Sequence, residues 1–407
     1  MTHRRSLAIP ATVAACAAII LVPSLPAAAV VDTQTWVNPT DNAVAWSTPG
    51  AWSPATAPEA GDTLNFSGVG GGANSTKDGG YTLAGINFIR SHAVANGGGD
   101  LGIGTGGLTT APGTVVSIDA DIQPSGAQLW SIATGSTATF PGVIRTDGVS
   151  TLTLDVDGTM EINGNLDAQA TGSVVKTGIG TIVRRGGAGG GIGNGGLSVQ
   201  EGTFFLDSAD IGGTAFTVAG GALTGAGTAN SMNMTSGTIS PGATDGSGVA
   251  DLVAWGPTTW SGGRYSVTIN ATDSDSFLAD NQTLTLSGTE LAIVAEAVPA
   301  VGTTFLVASA DAGLTGQFTA AGVALAEGAE FSSNGSRYSV SYAAQPNSVV
   351  VTYLGAVPVV PNPAAPVPVP ELAATGTSNP GLVAGVAALL VGAGGALLIT
   401  RRRARVI

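Results

Sequence analysis

Few side chains in this sequence have the types and spacings that do chemistry, and carboxylates lead them. Asp119 and Asp121 alternate along one short run, and Asp155 and Asp157 along another, so each pair sits on one face of a strand. Paired carboxylates with a basic partner serve acid/base work on a glycosidic bond, or hold Ca²⁺. The basic residues nearby in sequence are Arg145, Lys176, Arg184 and Arg185. The competing reading, an acidic strand face left to water, is preferred. Asp273, Asp275 and Asp280 are a further set of oxygen donors, but they lack EF-hand spacing and are read as a loop. His92 is the one imidazole after His3, and it is expected on a solvated loop beside Ser91 and Gly97-Gly98-Gly99, not in a Ser/His/Asp triad. With Cys16 the sole cysteine, neither a thiolate nor a zinc site is expected, and no cofactor. Trp36, Trp46 and Trp52 either stack on sugar rings or pack as an N-terminal cap, and packing is preferred.

The elements that must position these residues are short strands. No long stretch shows a 3.6-residue apolar period with caps. What recurs is a strand alternating apolar residues with Thr or Ser, then Gly or Gly-Thr, then another strand. Leu152-x-Leu154-x-Val156-x-Gly158-Thr159-Met160 is one phrase, and others begin at Leu197, Phe216 and Met232. The last three start 19 and 16 residues apart, which suits single coils of a solenoid. A longer recurrence, Gly102 to Leu108 against Gly191 to Leu197, has an offset of 89 residues. Its two G-x-G-x-x-G matches (Gly102, Gly104, Gly107; Gly191, Gly193, Gly196) precede no helix and are read as coil turns, not a dinucleotide site. Glycine, 62 of 407 residues, suits such turns.

Ser173-Val174-Val175-Lys176-Thr177-Gly178-Ile179-Gly180-Thr181 resembles the passenger-associated β-strand repeat of autotransporters, a Lys-x-Gly-x-Gly-Thr core followed by alternating apolar residues. Gly237-Thr238-Ile239-Ser240-Pro241-Gly242 is similar to another phrase of such passengers, and Trp36, Trp46, Trp52, Pro58, Gly61-Asp62 and Phe66 to their lead-in. The resemblance implies an all-β, Gly-rich parallel β-helix with a C-terminal β cap. Residues 30–259 are assigned to the lead-in and repeats. Residues 260–355, with longer alternating strands, are assigned to the cap, and the Pro-rich residues 356–371 to an extended linker.

The two ends carry an address. Residues 1–29 read as a signal peptide, with Arg4 and Arg5, an apolar run from Ser6 to Val22, and an A-x-A site at Ala27 and Ala29 with cleavage before Val30. A lipoprotein reading at Val13-Ala14-Ala15-Cys16 is disfavoured by the apolar run that continues to Val22. At the other end, 372–407, the uncharged run Gly381 to Thr400 is long enough to span a bilayer as a helix, and Arg401, Arg402, Arg403 and Arg405 stop it there. The preceding Leu372-Ala373-Ala374-Thr375-Gly376 resembles the sorting signal of Gram-positive, actinobacterial cell-wall proteins. That resemblance implies sortase as a transient partner, cleavage between Thr375 and Gly376, and a covalent bond to peptidoglycan. A plain membrane anchor is the alternative. Six of the 14 basic residues lie in these ends, leaving eight against all 27 acidic ones. So acidic a body should be repelled by nucleic acid.

The expectation is a non-catalytic wall-anchored surface protein, an adhesin or display solenoid with a glycan or host-surface ligand. The alternative is a polysaccharide lyase or hydrolase on the same fold. A groove gathering two carboxylates and a basic residue within about 10 Å would favour the enzyme.

Overall fold

Alternation of apolar and polar residues produces strands whose inner side chains stack coil upon coil. The computed structural model describes residues 31–39, 42–67, 74–146, 151–167, 172–186, 196–213, 215–242 and 248–358. Residues 1–29, read above as a signal peptide, residues 359–371 of the Pro-rich stretch, Leu372 to Gly376, the apolar run 381–400 and the terminal arginines lie outside the described residues. Among the described residues no helix is long and apolar enough to cross a membrane. The fold is all-β, a parallel β-solenoid, and one 3-10 turn, Pro49–Ala51, is its only described helical element.

Three faces make each coil. On the first, the inward ladder runs Leu64, Ile86, Leu108, Trp130, Leu154, Lys176, Val199, Val218, Met234, Trp260 and Leu286, each paired in parallel with the next. The second runs His92, Val116, Ala138, Met160, Ile182, Phe204, Leu223, Ile239, Tyr265 and Leu291. The third is described in two stretches, Leu101 to Leu166 and Ala209 to Ala308. Parallel sheets covered on the inner side read as apolar at alternate positions. Each fully buried Leu, Ile or Phe contributes roughly 1.5–3 kcal/mol.

The coil spacing read from the sequence is observed where it was read. Leu197 pairs with Phe216 and Phe216 with Met232. In this tightest coil one continuous strand, Ala215–Ala229, rounds all three faces, bending at Gly220 (φ 140°) and Gly225 (φ 105°). The 89-residue recurrence is close to four coils, but the pairing offset is one residue less, Val116 to Phe204.

The corner between the first and second faces is a column of glycines: Gly158, Gly180, Gly202, Gly221 and Gly237. A Cβ on any of them would strike the carbonyl oxygen of the preceding coil, of Ser136, Gly158, Gly180, Gly202 and Gly221 in turn. The following residue uses that close approach. Thr181 donates its N–H to Gly158 at 3.0 Å, Thr203 to Gly180 at 3.1 Å and Ala222 to Gly202 at 2.8 Å. This is the physical content of the recurring Gly-Thr.

Both ends are covered. At the start, Thr33–Trp36 pairs antiparallel with Trp52–Ser53, and Trp36, Trp46 and Trp52 pack edge-to-face over Phe66 and Tyr81. At the other end the parallel coils continue past residue 260, through Arg264–Ile269, Thr283–Ala295 and Gly313–Ala320. Beyond these come antiparallel pairs: Glu330–Ser333 with Ser336–Ser341, the latter with Ser348–Ala356, and that with Thr304–Ala310. The hairpin tip lies on the exposed edge of Thr283–Ala295. Ser333 Oγ accepts from Ile293 N at 2.9 Å and donates to its carbonyl at 3.0 Å, and Asn334 Nδ2 donates to the same carbonyl at 2.7 Å.

Candidate functional site

Strand alternation decides which polar groups meet solvent, and it removes most of the expected candidates. Lys176 and Arg184 occupy inward positions, in register with Leu154 and Ile162, and both are buried. The Lys176 ammonium turns to the corner and donates to the carbonyls of Thr177 at 2.7 Å and Gly178 at 2.6 Å, with Val156 and Glu201 both at 3.3 Å. Burial pushes it down to about 8, against the attraction of Asp155, Asp157 and Glu201. Lys77, a residue with no sequence signal of its own, does the same toward Gly79 at 3.0 Å, Gly99 at 2.5 Å and Gly98. The Lys in Lys-x-Gly-x-Gly-Thr is thus a clasp for the turn.

His92 is not on a solvated loop. It holds an inward position, buried, with Nε2 2.8 Å from Ser75 Oγ and its ring 4.2 Å from that of Phe66. The register puts it there, one coil before Val116. Trp36, Trp46 and Trp52 are likewise buried; Trp46 Nε1 donates to Ser75 Oγ and Trp52 Nε1 to the Trp46 carbonyl, both at 2.9 Å. They are the cap, with no ring face left for a sugar.

The carboxylate pairs do not converge. Asp119 is exposed, while Asp121 meets Arg145 at 2.8 Å, and Arg145 also reaches Asp100 at 3.5 Å. Asp100 is a partner that sequence spacing missed, because it is one coil away. This trio has two carboxylates and a cation, and a hydrogen bond from Val143 N, then Arg145, holds Asp121 below the usual carboxylate range, which favours its ionised form over a general acid. Asp155 accepts from Thr177 Oγ1 at 3.3 Å and Asp157 from Ile179 N at 3.1 Å. Arg185 pairs outward with Asp207 at 3.0 Å and Glu161 at 3.4 Å.

Asp273, Asp275 and Asp280 also stay apart. Asp275 is buried and accepts from Ala250 N at 2.9 Å and Thr268 N at 2.6 Å, whereas Asp273 and Asp280 bond Ser274 N and Asn281 Nδ2. Among the described residues no three His, Cys, Asp or Glu side chains are grouped to hold a metal ion.

What remains is a surface and not a cluster. On the outside of the first face, Thr153, Val175, Ser198, Thr217, Asn233, Thr259, Thr285 and Thr315 follow one another, one per coil. Thr259 N donates to Asn233 Oδ1 at 2.8 Å and Thr315 Oγ1 to Thr285 Oγ1 at 3.2 Å. Among the described residues, no outward position of this face from Ser173 to Gln317 is charged. A depression of about 150 Å³ lies on it, between Ser173, Val175, Ser198 and Thr217. Where the chain passes from the third face to the first, Trp255 stands at the corner, 44% exposed, while the other five tryptophans are in the core. The charges lie elsewhere: Asp155 on the same face one coil before Ser173 to Thr177, Glu161, Arg185, Asp207, Arg264 and Glu290 on the second face, and Asp100, Asp121, Arg145, Asp210, Asp251, Asp280 and Asp311 on or beside the third, the last two in register with Trp255 at its corner. Compared with family models and with curated proteins, the chain matches none.

Proposed function

We propose that this chain is a non-catalytic surface protein, secreted and anchored to the cell wall, with the solenoid displayed as an adhesin or structural element. In this reading Leu372-Ala373-Ala374-Thr375-Gly376 is a sortase substrate, Thr375 becomes the acyl donor to peptidoglycan, and residues 381–400 with their arginines hold the chain at the membrane before sorting. The observation that carries the non-catalytic part is the sorting of polar groups by face. The inward lysines are taken up by turn carbonyls, outward ions lie mainly on the second and third faces, and the outside of the first face from Ser173 to Gln317 is polar and uncharged among the described residues.

The test is the intact mass of protein released from purified walls by a peptidoglycan hydrolase. A C-terminus at Thr375 carrying a peptidoglycan fragment is expected. Chain ending at Ile407 and found only in membranes would refute wall sorting. The Asp100–Arg145–Asp121 trio favours one second reading, a polysaccharide lyase or hydrolase. New reducing ends or unsaturated sugars released by the wild type, and not by Asp121→Asn, would establish that reading instead.

A further inference from the structure

We infer that the first face, from Ser173 to Gln317 with Trp255 at its corner, binds a neutral polysaccharide lying along the solenoid axis; this rests on the surface-display reading above. Charge points to the chemical class. The body is strongly acidic, yet the strand positions of this face from Ser173 to Gln317 carry no ion, and the charges that follow Trp255 in register along its corner, Asp280 and Asp311, are carboxylates that repel an anionic ligand. A polymer whose edges are hydroxyls exchanges hydrogen bonds with Thr, Ser and Asn without stranding a charge.

Periodicity points to a polymer. Successive coils are about 4.8 Å apart, so Ser198, Thr217, Asn233, Thr259, Thr285 and Thr315 repeat their donors and acceptors at about the length of one sugar ring in an extended chain. Few of these side chains need ordering on binding, because the rigid ladder already sets their spacing. Trp255 supplies the aromatic surface. An exposed indole beside a polar ladder offers an apolar plane to the C–H face of a sugar ring and an N–H to its hydroxyls. The depression at Ser198 and Thr217 adds a second point of contact on the same face.

The experiment is a pull-down of the full chain in mild detergent on microcrystalline cellulose and on chitin, with soluble polygalacturonate as the anionic probe. Retention on at least one neutral polymer is expected, unaffected by polygalacturonate. Trp255→Ala and Thr259→Lys should each weaken retention on the order of tenfold, whereas Thr203→Lys, on the second face, should leave it unchanged. Circular dichroism confirms that all three variants are folded. No retention of wild type on either polymer overturns the inference, as does equal loss in all three variants. Self-association that Thr259→Lys abolishes would overturn it in favour of a second copy of this chain. Wall sorting is read separately: protein ending at Thr375 that binds neither polymer sinks the polysaccharide alone, and protein that binds but ends at Ile407 sinks only the anchoring.

Discussion

Lys176 shows how a charged residue can be a core residue here. Its four methylenes fill an inward position between Leu154 and Val199, and its ammonium closes the turn by donating to the carbonyls of Thr177 and Gly178. Lys176→Met keeps the volume and removes the donors, so it should cost about 3 kcal/mol as several buried acceptors lose their partner. Urea denaturation of the two proteins measures this, and an unchanged midpoint would mean that the carbonyls find other donors. Asp275 is the opposite case, an acid inside the body. Burial pushes its carboxyl up to about 7 from 3.8, outweighing the N–H groups of Thr268 and Ala250, with Asp251 adding repulsion. Between those values the folded form keeps a proton that the unfolded chain has lost. The stability it contributes is therefore full below 3.8, falls as pH rises and is lost above 7. Urea midpoints from about pH 4 to about pH 8 should show this slope, and Asp275→Asn should flatten it; an equal slope in both would assign the titration to another group.

At the scale of the element, the edge strand matters most. A last coil presents unpaired N–H and C=O groups that invite another chain. Here Ser333 and Asn334 occupy the groups of Ile293 by side-chain hydrogen bonds, where a further strand would use backbone. Replacing Ser333 by alanine and Asn334 by glycine, which accepts the φ of 47° at that position, removes these bonds without straining the hairpin turn and uncovers the edge. Light scattering should then show association that rises with concentration, while the parent stays at one size; a double variant as monodisperse as the parent would show that the antiparallel strands suffice. The opposite end has no such exposure, since three tryptophans and the antiparallel Trp52–Ser53 lie across it. The glycine column acts at the same scale. From Gly158 to Gly237 a residue without Cβ lets one coil rest its corner on the one before, so in these coils stacking and the Gly-Thr recurrence are one feature, while Ser136 holds the same place one coil earlier.

For the whole molecule, much of the architecture is legible in the chain because a solenoid is locally encoded. Each coil meets only its neighbours, so alternation, turn glycines and coil length suffice to predict the fold and even the pairing of Leu197, Phe216 and Met232. The preference for Trp36, Trp46 and Trp52 as a cap follows from composition and position, and they do pack that way. The candidate site was far less legible. The sequence by itself determined an all-β coil repeat, an acidic body and the scarcity of catalytic side chains. Only the tertiary structure decided that His92, Lys176 and Arg184 point inward, that Asp100 joins Asp121 at Arg145, and that the described outward positions of the first face from Ser173 to Gln317 carry no charge. The reason is geometric. Which residues share a face depends on coil lengths that vary from 16 to 31 residues, as the steps Val218 to Met234 and Phe277 to Ala308 show. Neighbours across coils are therefore set by pairing register and not by any constant spacing along the chain.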